Sequence, residues 1–329
     1  MGMLAAVVIC SIIFDFINGF HDTANSIATS VSTRVLTLRQ ATIMSASLNF
    51  IGALISAKVA ETIASGIVCG KLPQYVIVGA LCGAIVWNLI TWWIALPSSS
   101  SHALIGSLVG SAILVTGNLN SVNWINILYK VIIPLFSSPL IGFVIGYFVM
   151  KLLFFLLRNT KQHTVNKRFT KLQILSAAFM AYSHGSNDAQ KTMGIIAMAL
   201  VSGGVIGPND GIPLWVKLTC ALAMACGTSM GGWRIIKTVG MNMIKLQPVE
   251  GFAAETSAAI VIQIMTAIGA PVSTTHVISS SIMGVGSAKR FSAVNWSTAK
   301  KIVIAWFVTF PVTILFGMGF TFLLRLFFH

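Results

Sequence analysis

A polar signature that occurs twice inside apolar sequence constrains this chain more than any other feature. Gly19-Phe20-His21-Asp22-Thr23-Ala24-Asn25-Ser26 interrupts one apolar run, and Gly185-Ser186-Asn187-Asp188-Ala189-Gln190-Lys191-Thr192 interrupts another. An ionisable group in a membrane-type segment is costly, so its presence points to function. A second pair follows in the same order: Pro97-Ser98-Ser99-Ser100-Ser101-His102 and Pro271-Val272-Ser273-Thr274-Thr275-His276. The register extends further. Val122-Asn123-Trp124 returns as Val294-Asn295-Trp296 after 172 residues, and Pro139 as Pro311 at the same offset. Pro97 and Pro271 are 174 apart and the two aspartates 166 apart, which puts a short insertion between the motifs of the second half.

Composition fixes the solvent. The chain of 329 residues is 56% hydrophobic and 9% charged, with mean hydropathy +0.88. A soluble domain carries about 25% charged residues. The chain therefore reads as a polytopic membrane protein with no separate soluble domain. Its first apolar run has no basic leader or cleavage site and reads as a retained span. The five cysteines (Cys10, Cys69, Cys82, Cys220 and Cys226) show no C-x-x-C spacing and read as small packing residues.

Apolar segments fall near 3–18, 40–57, 74–96, 98–116, 124–157, 172–202, 213–232, 252–270, 271–286 and 302–329. The 124–157 stretch is too long for one straight crossing, so a kink or break is expected at Pro134 and Pro139. The expectation is an all-α polytopic membrane protein with ten to twelve spans. It comprises two inverted-topology repeats of about five spans each, with broken or re-entrant helices. The first repeat covers 1–157, a basic cytoplasmic linker 158–171, and the second repeat 172–329. With the linker inside, segments 30–40, 158–171, 234–250 and 289–301 hold two thirds of the 21 Lys and Arg residues. The outside keeps Lys58, Lys71, Lys130, Lys217 and Arg325, and the loop with Pro208 carries none. Both termini then lie outside a plasma membrane. The net charge of +14 is topology, and a nucleic-acid partner is not implied.

The motifs carry the chemistry. Gly19 and Gly185 allow a helix break or a close backbone approach. Asp22 and Asn25 share a helix face and offer hard oxygens to a proton or cation, as does Asp188. Proline followed by serine suits the start of a half-helix, whose free N–H groups and hydroxyls form an anion site. Ser98, Ser99, Ser100, Ser101, Ser273, Thr274 and Thr275 are the candidates. His102 and His276 are expected to orient these loops by donating a ring N–H. Lys191 stands where the first copy has Asn25; it can pair with Asp188 and fill the place of a metal cation. His21, Thr23, His184, Asn187, Gln190 and Thr192 complete the motifs as supporting residues. No cofactor is implied and no fixed metal centre; sodium is the ion that Asp22, Asn25 and Asp188 would take in place of a proton.

These residues resemble the inorganic phosphate transporter (PiT) family. G-x-N-D-x-A-N is similar to Gly19 to Asn25, and H-G-x-N-D to His184 to Asp188. Gly231-Gly232-Trp233-Arg234 and Gly251-Phe252-Ala253-Ala254-Glu255 are also similar to the family, and Glu255 joins the supporting residues on that ground. The resemblance implies a phosphate symporter working by alternating access, with the serine and threonine loops at the anion and the aspartates at the coupling ion. His21 and Lys191 depart from the family pattern and resemble its proton-coupled, low-affinity bacterial branch. Sodium coupling, and a permease for sulfate or a metal–phosphate complex, stay open, and a homodimer is allowed. An intramembrane hydrolase is the rival class. Its G-x-S-x-G match, Gly227 to Gly231, lacks the strand–turn–helix context that chemistry needs.

Overall fold

The computed structural model describes residues 2–68, 70, 72–207 and 209–328; Cys69, Lys71 and Pro208 lie outside them. The first half runs α1 (Gly2–Ser32), α2 (Leu38–Ile55), α3 (Lys58–Gly66), α4 (Gln74–Trp93), α5 (Ser100–Thr116), α6 (Trp124–Ile127) and α7 (Ile133–Leu157). The second runs α8 (Gln162–Ser202), α9 (Leu214–Met230), α10 (Trp233–Ile236), α11 (Pro248–Ala267), α12 (Thr274–Lys289) and α13 (Trp296–Phe328). Apart from an isolated bridge between Val68 and Val122, no extended pairing occurs among the described residues. Lacking water to satisfy it, a backbone in lipid pairs within its own helix, and this chain does so.

Both aspartate motifs lie in unbroken helices. Of the two roles open to their glycines, close approach is the one used. A Cβ at Gly19 would stand 2.4 Å from Met224 O of α9, and one at Gly185 would stand 2.3 Å from Asn49 O of α2. The glycines let α1 cross α9 and α8 cross α2 at backbone contact, a small-residue interface of the kind lipid-embedded helices use. The basic stretch after Arg158 is helical from Gln162 onward and continuous with the motif in α8.

The breaks lie elsewhere, and they match between halves. The helix pair α2 and α3 bends by 67°, and α9 bends against the α10 segment by 66°. The chain is also non-helical between α4 and α5 and between α11 and α12, where the two proline-serine clusters sit. At Pro134 there is no break: a π-helical turn, Leu128–Ile132, joins α6 to α7, and Pro139 is accommodated inside α7. Among the described residues, four helices are long and apolar enough to cross a membrane, or six if each bent pair is one span. The expected ten to twelve spans included α5 and α12. These have 17 and 16 residues, about 25 Å, short of a hydrocarbon core of about 30 Å.

Packing interlocks the halves. Helix α5 lies against α13, and α12 against α7, so each proline-serine helix is enclosed by the last helix of the other half. The turns that lead into those helices are held the same way. Arg234 donates to Trp93 O at 2.9 Å and Thr238 to Ala95 O at 3.1 Å, at the end of α4. Lys58 donates to Ala267 O at 3.1 Å and Lys130 to Ile268 O at 3.0 Å, at the end of α11. Cations at helix C-termini oppose the macrodipole and satisfy open carbonyls. The outer faces of α7 and α13 expose Leu140, Phe148, Leu315 and Phe322, the surface a bilayer would cover.

Candidate functional site

The midpoints of α1 and α8 meet the N-termini of α5 and α12. Each of these two short helices begins with a serine cap. Ser99 Oγ accepts from His102 N at 3.2 Å, and Ser273 Oγ from His276 N at 3.3 Å. The next two residues in each helix, Ser100 and Ser101 or Thr274 and Thr275, have backbone N–H groups with no partner inside the helix. The hydroxyls of Ser100, Thr274 and Thr275 turn to the aspartates, and that of Ser101 donates to Val272 O at 3.1 Å.

Asp22 is held by both halves. His21 Nδ1 lies 2.7 Å from its Oδ1, Ser100 Oγ donates to Oδ2 at 3.2 Å, and Thr275 Oγ1 to Oδ1 at 3.5 Å. The far nitrogen of His21 is 3.0 Å from Thr91 Oγ1, which also receives the Ser98 hydroxyl at 2.9 Å. Asp188 is held by Lys191 Nζ on Oδ1 and by Thr274 Oγ1 on Oδ2 at 3.0 Å. His184 Nε2 stands 3.3 Å from Oδ2, at ion-pair distance. Its Nδ1 meets Asn49 Oδ1 at 3.2 Å.

Asn25 and Lys191, each three residues after its aspartate, reach across to the proline-serine loop of the other half. Asn25 donates to Thr275 Oγ1 at 2.8 Å and Thr274 Oγ1 at 3.2 Å. Lys191 donates to Ser101 Oγ, and to Val272 O at 3.0 Å. Every one of these side chains is buried. Ligand atoms of Asp22, His184 and Asp188 all lie within 4.8 Å of one another, close enough to hold one cation. Two carboxylates at that separation repel by about 3 kcal/mol at an effective dielectric of about 20. The Lys191 ammonium, paired with Asp188, offsets one of the two charges.

A profile of the Phosphate transporter family matches residues 18–317. The chain belongs to that family. A probable low-affinity inorganic phosphate transporter of Bacillus subtilis is 47% identical over 325 residues, covering 98% of this chain and 97% of that protein. A protein of the same description from Rhizobium meliloti is 46% identical, covering 95% and 94%. A solved structure described as the sodium-dependent phosphate transporter superposes with a TM-score of 0.86 at 27% identity, covering 99% of this chain and all of that one. As a family member the chain is a transporter and not an enzyme. The hydrolase match agrees with that: Ser229 ends α9 on an exposed face and donates to Ala225 O at 2.9 Å.

Within this family member, the sequence-derived candidates divide by position. Asp22, Asn25, Asp188, Lys191, His21, His184, Ser100, Ser101, Thr274 and Thr275 converge. Ser99 and Ser273 cap their helices instead of facing the carboxylates, and Ser98 supports Thr91. His102 orients its loop through Nδ1 on Ser99 Oγ at 2.6 Å. The same role expected of His276 is not found: its ring nitrogens have no hydrogen-bond partner among the described residues, and the ring stacks on His102 and Trp306. A flat aromatic cleft leaves it no acceptor. Thr23 bonds Gly19 O at 2.6 Å within its own helix. Gln190 Oε1 accepts from Val59 N at 2.8 Å and caps α3. Asn187 ties α8 to Thr266 of α11 at 2.8 Å, and Thr192 bonds Asp15 at 3.0 Å. Glu255 lies away from the aspartates, accepting from Thr29, Ser176 and Gln173 between α1, α8 and α11. Sequence reasoning missed Thr91, Asn49, Thr228 and the Val272 carbonyl. Asn49, which also donates to Thr228 Oγ1 at 3.0 Å, is a polar residue in an apolar span, and that was the available signal.

Proposed function

We infer that the protein moves inorganic phosphate across the cell membrane by alternating access, in symport with protons. The substrate reading follows from the family and from two converging helix N-termini whose hydroxyls and N–H groups suit a tetrahedral oxyanion. The coupling reading rests on one observation: Lys191 spans Asp188, Ser101 and the Val272 carbonyl. A fixed ammonium among three oxygens occupies coordination that a sodium ion would need. One uncompensated carboxylate then remains, Asp22, and a phosphate anion enters favourably only once that charge is neutralised. Protonation of Asp22 does so, and coupling becomes a consequence of charge.

In this reading residues 1–157 and 172–329 are inverted repeats joined by a cytoplasmic segment at 158–171, with both termini outside. Support comes from the equal bends of the two broken pairs and from the swapped packing of α5 and α12. An odd number of crossings per half turns equivalent elements toward opposite faces. The reading allows a homodimer, with each protomer holding a complete site. Sodium coupling is the second reading. It is favoured by the description of the structural neighbour and by the cluster of Asp22, His184 and Asp188.

Labelled-phosphate uptake into proteoliposomes tests the proposal. Accumulation under an imposed pH gradient in sodium-free buffer, inhibited by arsenate and little affected by sulfate, is the expected result. Uptake competed equally by sulfate would make the protein a general oxyanion permease.

A further inference from the structure

Asp15 belongs to no part of the site above. It precedes Asp22 by seven residues on α1, two turns, so the two carboxylates share a face about 10 Å apart along the axis. The side chain is fully buried. One oxygen is satisfied: Oδ1 accepts from Thr192 of α8 at 3.0 Å. Oδ2 has no partner among the described residues. One turn to either side, Ser11 Oγ and Asn18 Oδ1 are buried and equally without partners. Buried polar atoms almost always pair, with each other or with ordered water. Three unpaired oxygens in file on one face mark a polar thread leading away from the aspartate site.

The charged groups that act on Asp15 are Asp188 and Lys191, both on α8; α9 contributes Cys220. Helix α4, which also packs here, has no Asp, Glu, Lys, Arg or His. The side chains that hydrogen-bond α1 from the remaining neighbouring helices do so at Asp22 or beyond: Ser100 of α5 and Thr275 of α12 at Asp22, Thr274 of α12 at Asn25, Ser45 of α2 at Ser26 and Glu255 of α11 at Thr29. Asp15 is a titratable carboxylate on the amino-terminal side of the site. Its hydroxyl partner, Thr192, follows Lys191 directly.

We propose that Asp15 is a proton-binding station between one face of the membrane and the Asp22–Asp188 site. A proton from water bonds to Oδ2 and neutralises the carboxylate. Its release toward the site restores the charge, and no other bond changes. Ser11 and Asn18 supply oxygens along the approach. The proposal rests on proton coupling, and it adds the route.

The test uses the full chain in sodium-free proteoliposomes. Two readouts are compared: accumulation driven by a pH gradient, and phosphate–phosphate exchange with no gradient, which needs no net proton movement. A gradient of one pH unit coupled to one proton sustains about tenfold accumulation in the wild type. Asp15→Asn should lose that accumulation while exchange falls far less, and Asp15→Glu should restore it. Equal loss of both readouts in both variants would mean a structural role and overturn the proposal, as would wild-type accumulation by Asp15→Asn. If Asp15→Asn does not purify folded, Asp15→Glu decides: a displaced pH profile of uptake supports the station, and a coincident profile rejects it. A wild type that ignores the pH gradient overturns proton coupling itself, and the station with it.

Discussion

The first aspartate motif and the second share their spacing and differ most at one side chain. Asp22 meets His21 and two hydroxyls, and its three-residue neighbour is Asn25. Asp188 meets His184 and Thr274, and its three-residue neighbour is Lys191. Both neighbours perform the same mechanical task, reaching over to the opposite proline-serine loop. Only one carries charge. The comparison teaches that two sites of like geometry differ in charge through one side chain. Asp188 has an ammonium partner, and Asp22 has none among the described residues.

The largest effect should come from removing that counter-ion. Lys191→Ala leaves Asp188 buried without its ammonium partner, and a broken buried pair costs about 3–5 kcal/mol. Thermal unfolding in detergent should show a large loss of stability, and the Asp188→Asn, Lys191→Ala double variant should regain most of it. Additive losses in that cycle would mean the two groups do not act as a pair.

Next comes the carboxylate assigned to the mobile ion. Asp22→Asn should abolish gradient-driven accumulation, about tenfold for one pH unit, in a protein that still melts like the wild type. Lys191→Asn, which gives the second motif the first motif's side chain, should make uptake responsive to sodium. Failure of sodium to stimulate that variant would show that the lysine is not what excludes the cation.

Smaller effects separate the two loops. Ser101 contacts Lys191 and Thr275 contacts Asp22 and Asn25. Alanine at either should weaken phosphate binding by about 1 kcal/mol, one hydrogen bond each, in equilibrium binding assays. Unchanged affinity in the double variant would remove these hydroxyls from the anion site.

The smallest is conformational. The turns before the two loops are equivalent, yet Ala95 stands at φ +55° where the second half has Gly269 at φ +71°. A left-handed alanine is strained, so Ala95→Gly should stabilise by about 0.5 kcal/mol after the added chain entropy of glycine. A lower melting temperature would contradict this.

How far the sequence could be read follows from what each residue touches. Asp22 and Asp188 announced themselves because a carboxylate in an apolar run has few innocent explanations, and duplication removed most of those. The proline-serine starts were legible because helix entry has a residue code. That same code, taken strictly, assigns Ser99 and Ser273 to capping, where the structure has them. The glycines offered two roles, and only the crossing of α1 with α9 and α8 with α2 could select between them. Lys58 and Arg234 read as topology charges. Their work on the carbonyls closing α11 and α4 depends on backbone groups far away in sequence, for which side-chain patterns carry no signal. Asp15 is one acidic residue in the apolar run 3–18, with no counterpart motif to mark it, and its unpaired oxygen is evident only with α8 around it.

The claim that ties these points together is that Lys191 leaves one negative charge for a proton. Its most direct measurement is the internal pH of sodium-free proteoliposomes, followed with a trapped indicator while phosphate enters. The account predicts acidification in step with uptake, lost in Asp22→Asn. Uptake that requires sodium and proceeds without acidification would contradict it.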